Sequence, residues 1–433
     1  MSSLLKPLAP LEAARLFIKK IQKPTRILVA ISGGSDSTGL LLALHLAIGD
    51  AGRDDISLQA VTIDHALRPE AAEEARGVAA LCAQFGIVHH VRRWDEPKPK
   101  TGISAAARLA RYSLIGAVAG EMRTDLIVVG HTQGDQQETI AMRSARSVRE
   151  DNLGLAGMAD AVLYHGRHWI VRPFLNSTRQ DIRDFLADHG QTWYDDPSND
   201  DAKYERVRMR NLPAEVPVEV IDHARKRSEL SALAAQLIER HTESHHQSLI
   251  KIRAEGLREE PAILRYALSA LASVIGGRRF AVSADSMDRV MAFVGKGQPG
   301  RVTASRVVFD RRKEGLYLVR ENRDVPSLHI SAGATGVWDE RFEVTNTSAV
   351  DVVVGGSGVA SVPNMLVNFP SSVPSGVATR AWQTMPVFQD DSGGVTIRPM
   401  LAPYDLFLPR LDIGLANAIA HLLGRSAYPQ PPV

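Results

Sequence analysis

Between Arg26 and about Leu175, short apolar runs alternate with longer amphipathic stretches. Ile27-Leu28-Val29-Ala30-Ile31 is continuously apolar and β-branched, the pattern of a strand buried on both faces. Ser57-Leu58-Gln59-Ala60-Val61-Thr62-Ile63 predicts a second strand, Val88 to Val91 a weaker third, and Leu126-Ile127-Val128-Val129-Gly130 a fourth. Helical spacing of apolar residues fills the intervals and predicts helices over Thr38–Ala47, Ala71–Phe85, Ser104–Ala119 and Gln136–Arg146. Such alternation predicts an α/β fold built on a doubly wound parallel sheet, with ligands at the carboxyl ends of the strands.

The pattern changes near Pro213, where Ala214-Glu215-Val216-Pro217 reads as a linker. Long helical patterns follow over Val220 to about Lys251, Pro261 to Ile275 and Ser283 to Val294. The stripe Leu230, Leu233, Leu237, Ile238 reads as helix packing. A β-rich piece, Arg301 to Arg320, closes this region. From about Asp324 the chain is rich in Val, Ser and Gly, with strand signals such as Val352-Val353-Val354. The expected layout is an α/β domain over 1–213, a mainly helical domain over 214–323 and a small β-rich domain over 324–433.

Composition narrows this picture only in part. The 433 residues are 44% apolar, with a net charge of +2 that neither demands nor excludes a nucleic-acid partner. The single cysteine, Cys82, rules out an intramolecular disulfide and argues against a cysteine-built metal site. It lies in a helical apolar pattern, so a buried structural thiol in a reducing compartment is expected. The N-terminal stretch lacks the pattern of a secretory signal. No run reaches the roughly 20 apolar residues that span a bilayer. A soluble, cytoplasmic protein with no membrane partner is the expectation.

The candidate chemistry begins at Ser32-Gly33-Gly34-Ser35-Asp36-Ser37, between the first strand and the first long helix. Two glycines permit a tight turn and close approach of backbone to a ligand. Ser, Asp and Ser supply capping oxygens and hydroxyls, and the helix N-terminus offers free N–H groups to phosphate oxygens. The Lys of G-x-x-x-x-G-K-[ST] is absent, so this is not the usual nucleoside-triphosphatase loop. Val354-Gly355-Gly356-Ser357-Gly358 also follows a β run, but no helical pattern follows it, so it reads as a hairpin or loop.

Ser-Gly-Gly-x-Asp-Ser after an apolar strand resembles the loop of the N-type (PP-loop) ATP pyrophosphatases. Further segments resemble one family among them, the tRNA(Ile)-lysidine synthases. They are Asp64-His65-Ala66-Leu67-Arg68; Ala107-Arg108-Leu109-Ala110-Arg111-Tyr112; His131-Thr132-Gln133-Gly134-Asp135-Gln136-Gln137-Glu138-Thr139; Gly154-Leu155-Ala156-Gly157-Met158 with Arg172-Pro173; and Asp196-Pro197-Ser198-Asn199 with Arg206, Arg208 and Arg210. Gly134 stands where that family usually has an aspartate. The likeness runs from about Arg26 to Arg210, continues more vaguely through Gly276-Gly277-Arg278-Arg279, and fades beyond Asp324.

The resemblance implies ATP and Mg²⁺ as cofactors. The nucleotide would be held by Ser32 to Ser37, Asp64, His65, Arg68 and His131, with Asp36 also at the metal. It implies free L-lysine and an isoleucine tRNA with a CAU anticodon as substrates. The catalytic set would be Asp36, Arg108, Arg111, Asp135, Glu138 and Arg210. Asp135 and Glu138, three apart on one helix face, could hold an ammonium group. Arg225-Lys226-Arg227 and Arg306, Arg311, Arg312 and Lys313 are further basic candidates for a tRNA surface. The oligomeric state stays open, a homodimer being one option. So do two rival readings, another PP-loop ligase using ammonia or sulfur and a non-catalytic RNA-binding relative.

Overall fold

The computed structural model describes residues 7–66, 71–146, 152–195, 219–356, 369–388 and 393–433. The chain forms two compact units, Met1–Arg227 with Pro429–Val433, and Ser228–Tyr428.

The first unit carries β1 (Thr25–Ala30), β2 (Ile56–Asp64), β3 (Val88–Arg93), β4 (Leu126–Val129), β5 (Ala161–Tyr164) and β6 (His168–Val171). These run in the order β5-β6-β4-β1-β2-β3. All pairs are parallel except β5 with β6. β1 lies between β4 and β2, and Ile27, Leu28 and Val29 are fully buried, as a continuous apolar run requires. The helices are α1 (Pro10–Lys20), α2 (Ser35–Asp50), α3 (Ala71–Gln84), α4 (Ile103–Glu121), α5 (Gln133–Arg146) and α6 (Arg179–Asp188).

Leu40 to Leu44 of α2 are buried all round, because the helix is covered by α1 and α6 as well as by the sheet. A Cβ at Gly39 would sit 2.4 Å from Ile182 Cγ2, so only glycine lets α2 and α6 pack this closely. The four predicted strands and four predicted helices all form. α1, α6 and the β5–β6 hairpin add to them. That hairpin turns through His165 and Gly166, both at positive φ. Cys82 is buried, and desolvation pushes its thiol pKa up to about 11, as a structural thiol should show.

The second unit departs from its pattern along its first helix and just after it. The helix predicted to reach Lys251 ends at His241, and Thr242–His245 and Leu249–Arg253 are strands. They form a hairpin that turns through His246 and Gln247 at positive φ, and Leu249, Ile250 and Ile252 are buried. The helical stripe shifts as well. Leu237 and Ile238 are buried, but Leu233 faces solvent, and Ala234 and Ala235 take the core side.

The hairpin joins Gly300–Ala304, Val307–Arg312 and Gly315–Arg320 in a five-stranded antiparallel sheet. Helices Pro261–Ile275 and Ala284–Gly295 belong to the same unit. Two three-stranded sheets follow, around a core containing Trp338, Phe342, Val344 and Val354. Val352–Gly355 is a strand of one of them, whereas Ser357 and Gly358 lie outside the described residues. Among the described residues, no helix is long and apolar enough to cross a membrane.

Candidate active site

β1 ends at Ala30, and α2 begins at Ser35 with Gly34 as its N-cap. Between them the chain turns through Gly33 at φ +88. The loop is held by its own hydroxyls. Ser37 Oγ donates to the Gly34 carbonyl at 3.2 Å, accepts from Ser32 N–H at 3.1 Å and meets Ser32 Oγ at 3.2 Å. Tyr194 N–H donates to the Gly33 carbonyl at 2.9 Å, and the tyrosine ring lies against Gly33 and Gly77. With its hydroxyls and carbonyls so engaged, the α2 end presents backbone N–H groups and a positive dipole end, the chemistry of an anion site.

Asp36 opens this loop toward α6. Its carboxylate takes Arg179 Nη2 at 2.9 Å and Nε at 3.1 Å. Arg179 belongs to no segment of the sequence resemblance. It lies 143 residues from Asp36, and only the packing of α6 on α2 brings it there.

The second wall follows β4, the parallel neighbour of β1. A Cβ on Gly130 would lie 2.9 Å from Asp36 O and 3.0 Å from Ser37 N, so glycine is what lets the β4–α5 turn touch the phosphate-type loop. α5 starts three residues before its predicted onset. Asp135 therefore falls in its first turn and accepts from Thr132 N–H at 2.8 Å and Thr132 Oγ1 at 3.1 Å. This is capping-box geometry, with one carboxylate oxygen committed to the helix end. Glu138 follows one turn later and is buried. A Cβ at Gly134 would make only an ordinary contact, with Thr132 Oγ1 at 3.6 Å, so an aspartate would fit and nothing in the packing explains the glycine.

A cavity of about 180 Å³ lies against α5, lined by Arg108, His131, Asp135, Glu138, Arg143 and Met158 among others. That is below the roughly 300–1,000 Å³ of pockets for drug-sized ligands and suits something amino-acid sized. One side is the loop through Gly157 and Met158. Gln136 grips this loop as a neighbouring strand would: its Oε1 accepts from Met158 N–H at 2.6 Å and its Nε2 donates to Met158 O at 3.1 Å. Arg143 Nη1 donates to the Gly154 and Gly157 carbonyls at 3.0 and 2.6 Å. The Gly154-to-Met158 segment is thus part of the cavity wall.

Arg172 Nε donates to His131 Nδ1 at 3.3 Å, which leaves the imidazole proton on Nε2. Burial, and then the Arg172 cation, push the His131 pKa down to about 3, so the ring is a neutral N–H donor at physiological pH.

At the end of β2, Asp64 Oδ1 accepts from Ala66 N–H at 2.7 Å and fixes the turn. Arg111 Nε donates to His65 Nε2 at 3.4 Å. That puts the His65 proton on Nδ1, which is buried without a partner. Burial, followed by Arg111, lowers the His65 pKa, so this ring too is neutral. Arg108 sits over the Tyr112 ring at 5.1 Å and reaches the cavity. The predicted site residues Ser32 to Ser37 and His131, Asp135 and Glu138 thus lie on neighbouring strand ends. Asp64, His65 and Arg111 form a cluster at the end of β2, the strand on the other side of β1. Arg68, Arg210, Arg206, Arg208 and Asp196 to Asn199 lie outside the described residues.

The PP-loop domain model matches residues 9–215, a span that holds both the Ser32-to-Ser37 loop and the cavity against α5, and this makes the chain a PP-loop ATP-utilising protein. The chain belongs to the tRNA(Ile)-lysidine synthase family, a family of ATP-dependent ligases that modify tRNA. It is 42% identical to the tRNA(Ile)-lysidine synthase of Rhizobium meliloti, over 99% of this chain and 98% of that one. Identity is 36% to the Mesorhizobium japonicum protein of the same name, covering 93% of each chain. For the Brucella ovis protein it is 34%, covering 92% of this chain and 95% of that one.

Proposed function

We propose that this chain joins free L-lysine to C2 of the wobble cytidine of an isoleucine tRNA with a CAU anticodon, in two steps. The cytosine C2 oxygen attacks the α-phosphate of ATP, the α–β bridging bond breaks, and pyrophosphate leaves into the Ser32-to-Ser37 loop. The lysine ε-nitrogen then bonds to C2 and gives up a proton, the C2–O bond breaks, and AMP leaves. The observation that carries this reading is the junction at Gly130, where the Ser32-to-Ser37 loop meets the turn into α5, whose Asp135 and Glu138 line the neighbouring cavity together with Arg108 and Arg143. One site takes the leaving phosphates and the other takes a small cation.

Asp135 and Glu138, which both line the cavity, are the proposed partners of the lysine ammonium. An unperturbed lysine amine has a pKa of about 10.4, so it must lose a proton before it attacks. A carboxylate that first binds the ammonium can take that proton. The neutral His131 ring offers its Nε2–H to the nucleotide, His65 flanks the nucleotide beside Arg111, and Arg108 and Arg111 offset charge on the α-phosphate. Arg210 and Arg68 complete the proposed set. Among the described residues no three His, Cys, Asp or Glu side chains cluster as a metal cage. Mg²⁺ commonly needs one or two carboxylates plus substrate phosphates, and Asp36 fits as the protein ligand. Bound there, the ion would neutralise charge on the departing pyrophosphate. Arg225 to Arg227, Arg311 and Lys313 remain proposed tRNA contacts. Arg306 does not, because it is turned inward onto Asp339. Free lysine, ATP and tRNA are cytoplasmic pools, which places the proposed reaction in the cytoplasm.

The test is labelled-lysine incorporation with ATP and the CAU isoleucine transcript, beside a transcript lacking the wobble cytidine. Stoichiometric incorporation, AMP release and a silent control are expected. Glu138→Gln and Asp135→Asn should each raise the lysine KM at least tenfold. Equal incorporation into both transcripts would refute the acceptor, and an unchanged lysine KM in both variants would refute the lysine site.

A further inference from the structure

The second unit holds a cavity of about 430 Å³ whose walls include Arg278, Arg279, Phe280, Ser283, Ser305 and Glu340. Phe280 is 84% exposed, far beyond the next large hydrophobic among the described residues, Val88 at 56%. Its backbone is not loose. The Phe280 carbonyl accepts from Ser273 Oγ at 3.2 Å, and Arg278 N–H donates to the Ser273 carbonyl at 2.8 Å. Two glycines bring this segment against its neighbours. A Cβ on Gly276 would lie 2.3 Å from Ser305 O, and one on Gly277, at φ +61, would lie 2.4 Å from Asp339 O. An aromatic ring is thus held out into water on an anchored turn.

The surroundings are cationic. Arg306, Arg320 and Arg341 converge on the single buried carboxylate of Asp339, directly behind the cavity wall. Burial lowers the Arg341 pKa to about 10, still well above neutrality, and its Nη1 is buried with no acceptor. Arg279 pairs with Glu340 at 3.1 Å, and Arg278 adds an exposed cation. Arg320 and Arg341 are buried, so the exposed cation at the cavity is Arg278, beside the Arg279–Glu340 pair. Ser283, Ser286 and Ser305 add polar groups along the rim. An exposed ring beside the exposed Arg278 guanidinium fits a flat base carrying a phosphate, the way single-stranded RNA is commonly held.

We propose that Phe280 and Arg278 form a nucleotide-stacking site that takes one unpaired nucleotide of the tRNA substrate. This rests on the tRNA reading above. The base stacks on Phe280, its phosphate lies toward Arg278, and the serine hydroxyls face the sugar edge.

The test uses the full-length protein and the CAU isoleucine transcript, with the dissociation constant measured across a salt series. Phe280→Ala should weaken binding roughly tenfold at every salt concentration, the loss of one base–aromatic stack. Phe280→Trp should restore it. Arg278→Gln should weaken binding and reduce the slope of log K against log salt by about one. Wild-type affinity in Phe280→Ala, with lysidine still formed by the parent protein, overturns the site and leaves the activity standing. Loss of a dimer in Phe280→Ala with unchanged tRNA affinity overturns it in favour of a self-contact. Failure of the parent protein to make lysidine on any tRNA would instead strike the activity on which the site rests. Because Phe280 is exposed, an unchanged melting temperature in the alanine variant excludes misfolding as the cause of any loss.

Discussion

Asp36 and Arg179 show how one pair can prepare a loop for a ligand that is more highly charged than either residue. Both guanidinium bonds reach the carboxylate at the very start of α2, so Asp36 is aimed before any nucleotide arrives. Charge-assisted bonds of this kind contribute roughly 1.5–3 kcal/mol when partly sheltered from water. Arg179→Ala should therefore lower kcat/KM for ATP by about tenfold to a hundredfold, the kinetic equivalent of that energy. Arg179→Lys, which keeps the charge but not the fork, should fall between. Equal kinetics in all three proteins, read by pyrophosphate release, would remove Arg179 from the site. Asp36 was legible in the sequence because it sits in a contiguous motif. Arg179 was not, because its meaning comes from helix packing across 143 positions. His131 is a mixed case. Its place in a motif was readable, but its neutrality follows from Arg172 and burial, which no local pattern displays.

At the scale of elements, α5 carries both walls of the cavity. Its first turn brings Asp135, its second Glu138, and its Gln136 pins the Gly154-to-Met158 loop by bonding the Met158 backbone N–H and carbonyl. A Cβ at Gly157 would lie 2.6 Å from Gln136 Oε1, so glycine and glutamine fit together as a lock. Gln136→Ala leaves a Met158 donor and acceptor without partners, at roughly 1–3 kcal/mol for each buried group. The expected result is a lysine KM raised severalfold or more with the ATP KM nearly unchanged, and a lower melting temperature. Gln136→Glu keeps the acceptor for Met158 N–H and loses the donor, so it should be intermediate in stability. A parallel rise in both KM values would show a general loss of fold.

The four strands and four helices read from the first unit were legible because apolar runs and helical spacing alternate there regularly, whereas α1, α6 and the short β5–β6 hairpin carry no such alternation. The hairpin at Thr242 to Arg253 was not. It follows a real helix without a proline or glycine break, and Leu249, Ile250 and Ile252 also suit a helical stripe. Only pairing of Leu249–Arg253 with Gly315–Arg320 decides in favour of a strand.

For the whole molecule, the division into two units has a thermodynamic consequence. Each has its own buried core, and every proposed ATP contact lies in the first unit. Chains built this way commonly lose two-state behaviour, so heating should show two transitions. A non-hydrolysable ATP analogue at about a hundred times its dissociation constant adds roughly 2.7 kcal/mol to whichever unit binds it. For a unit of this size that corresponds to a shift of roughly 5–10 °C. The transition assigned to the first unit should move by that amount, and the other should stay in place. Assignment comes from Gly39→Ala, which strains the α2–α6 contact and should lower only the ATP-sensitive transition. A single transition that moves as a whole on adding the analogue would show that the two units unfold as one. Two transitions that both rise would place nucleotide contacts in the second unit, and the phosphate site would have to extend beyond the loop at Ser32 to Ser37.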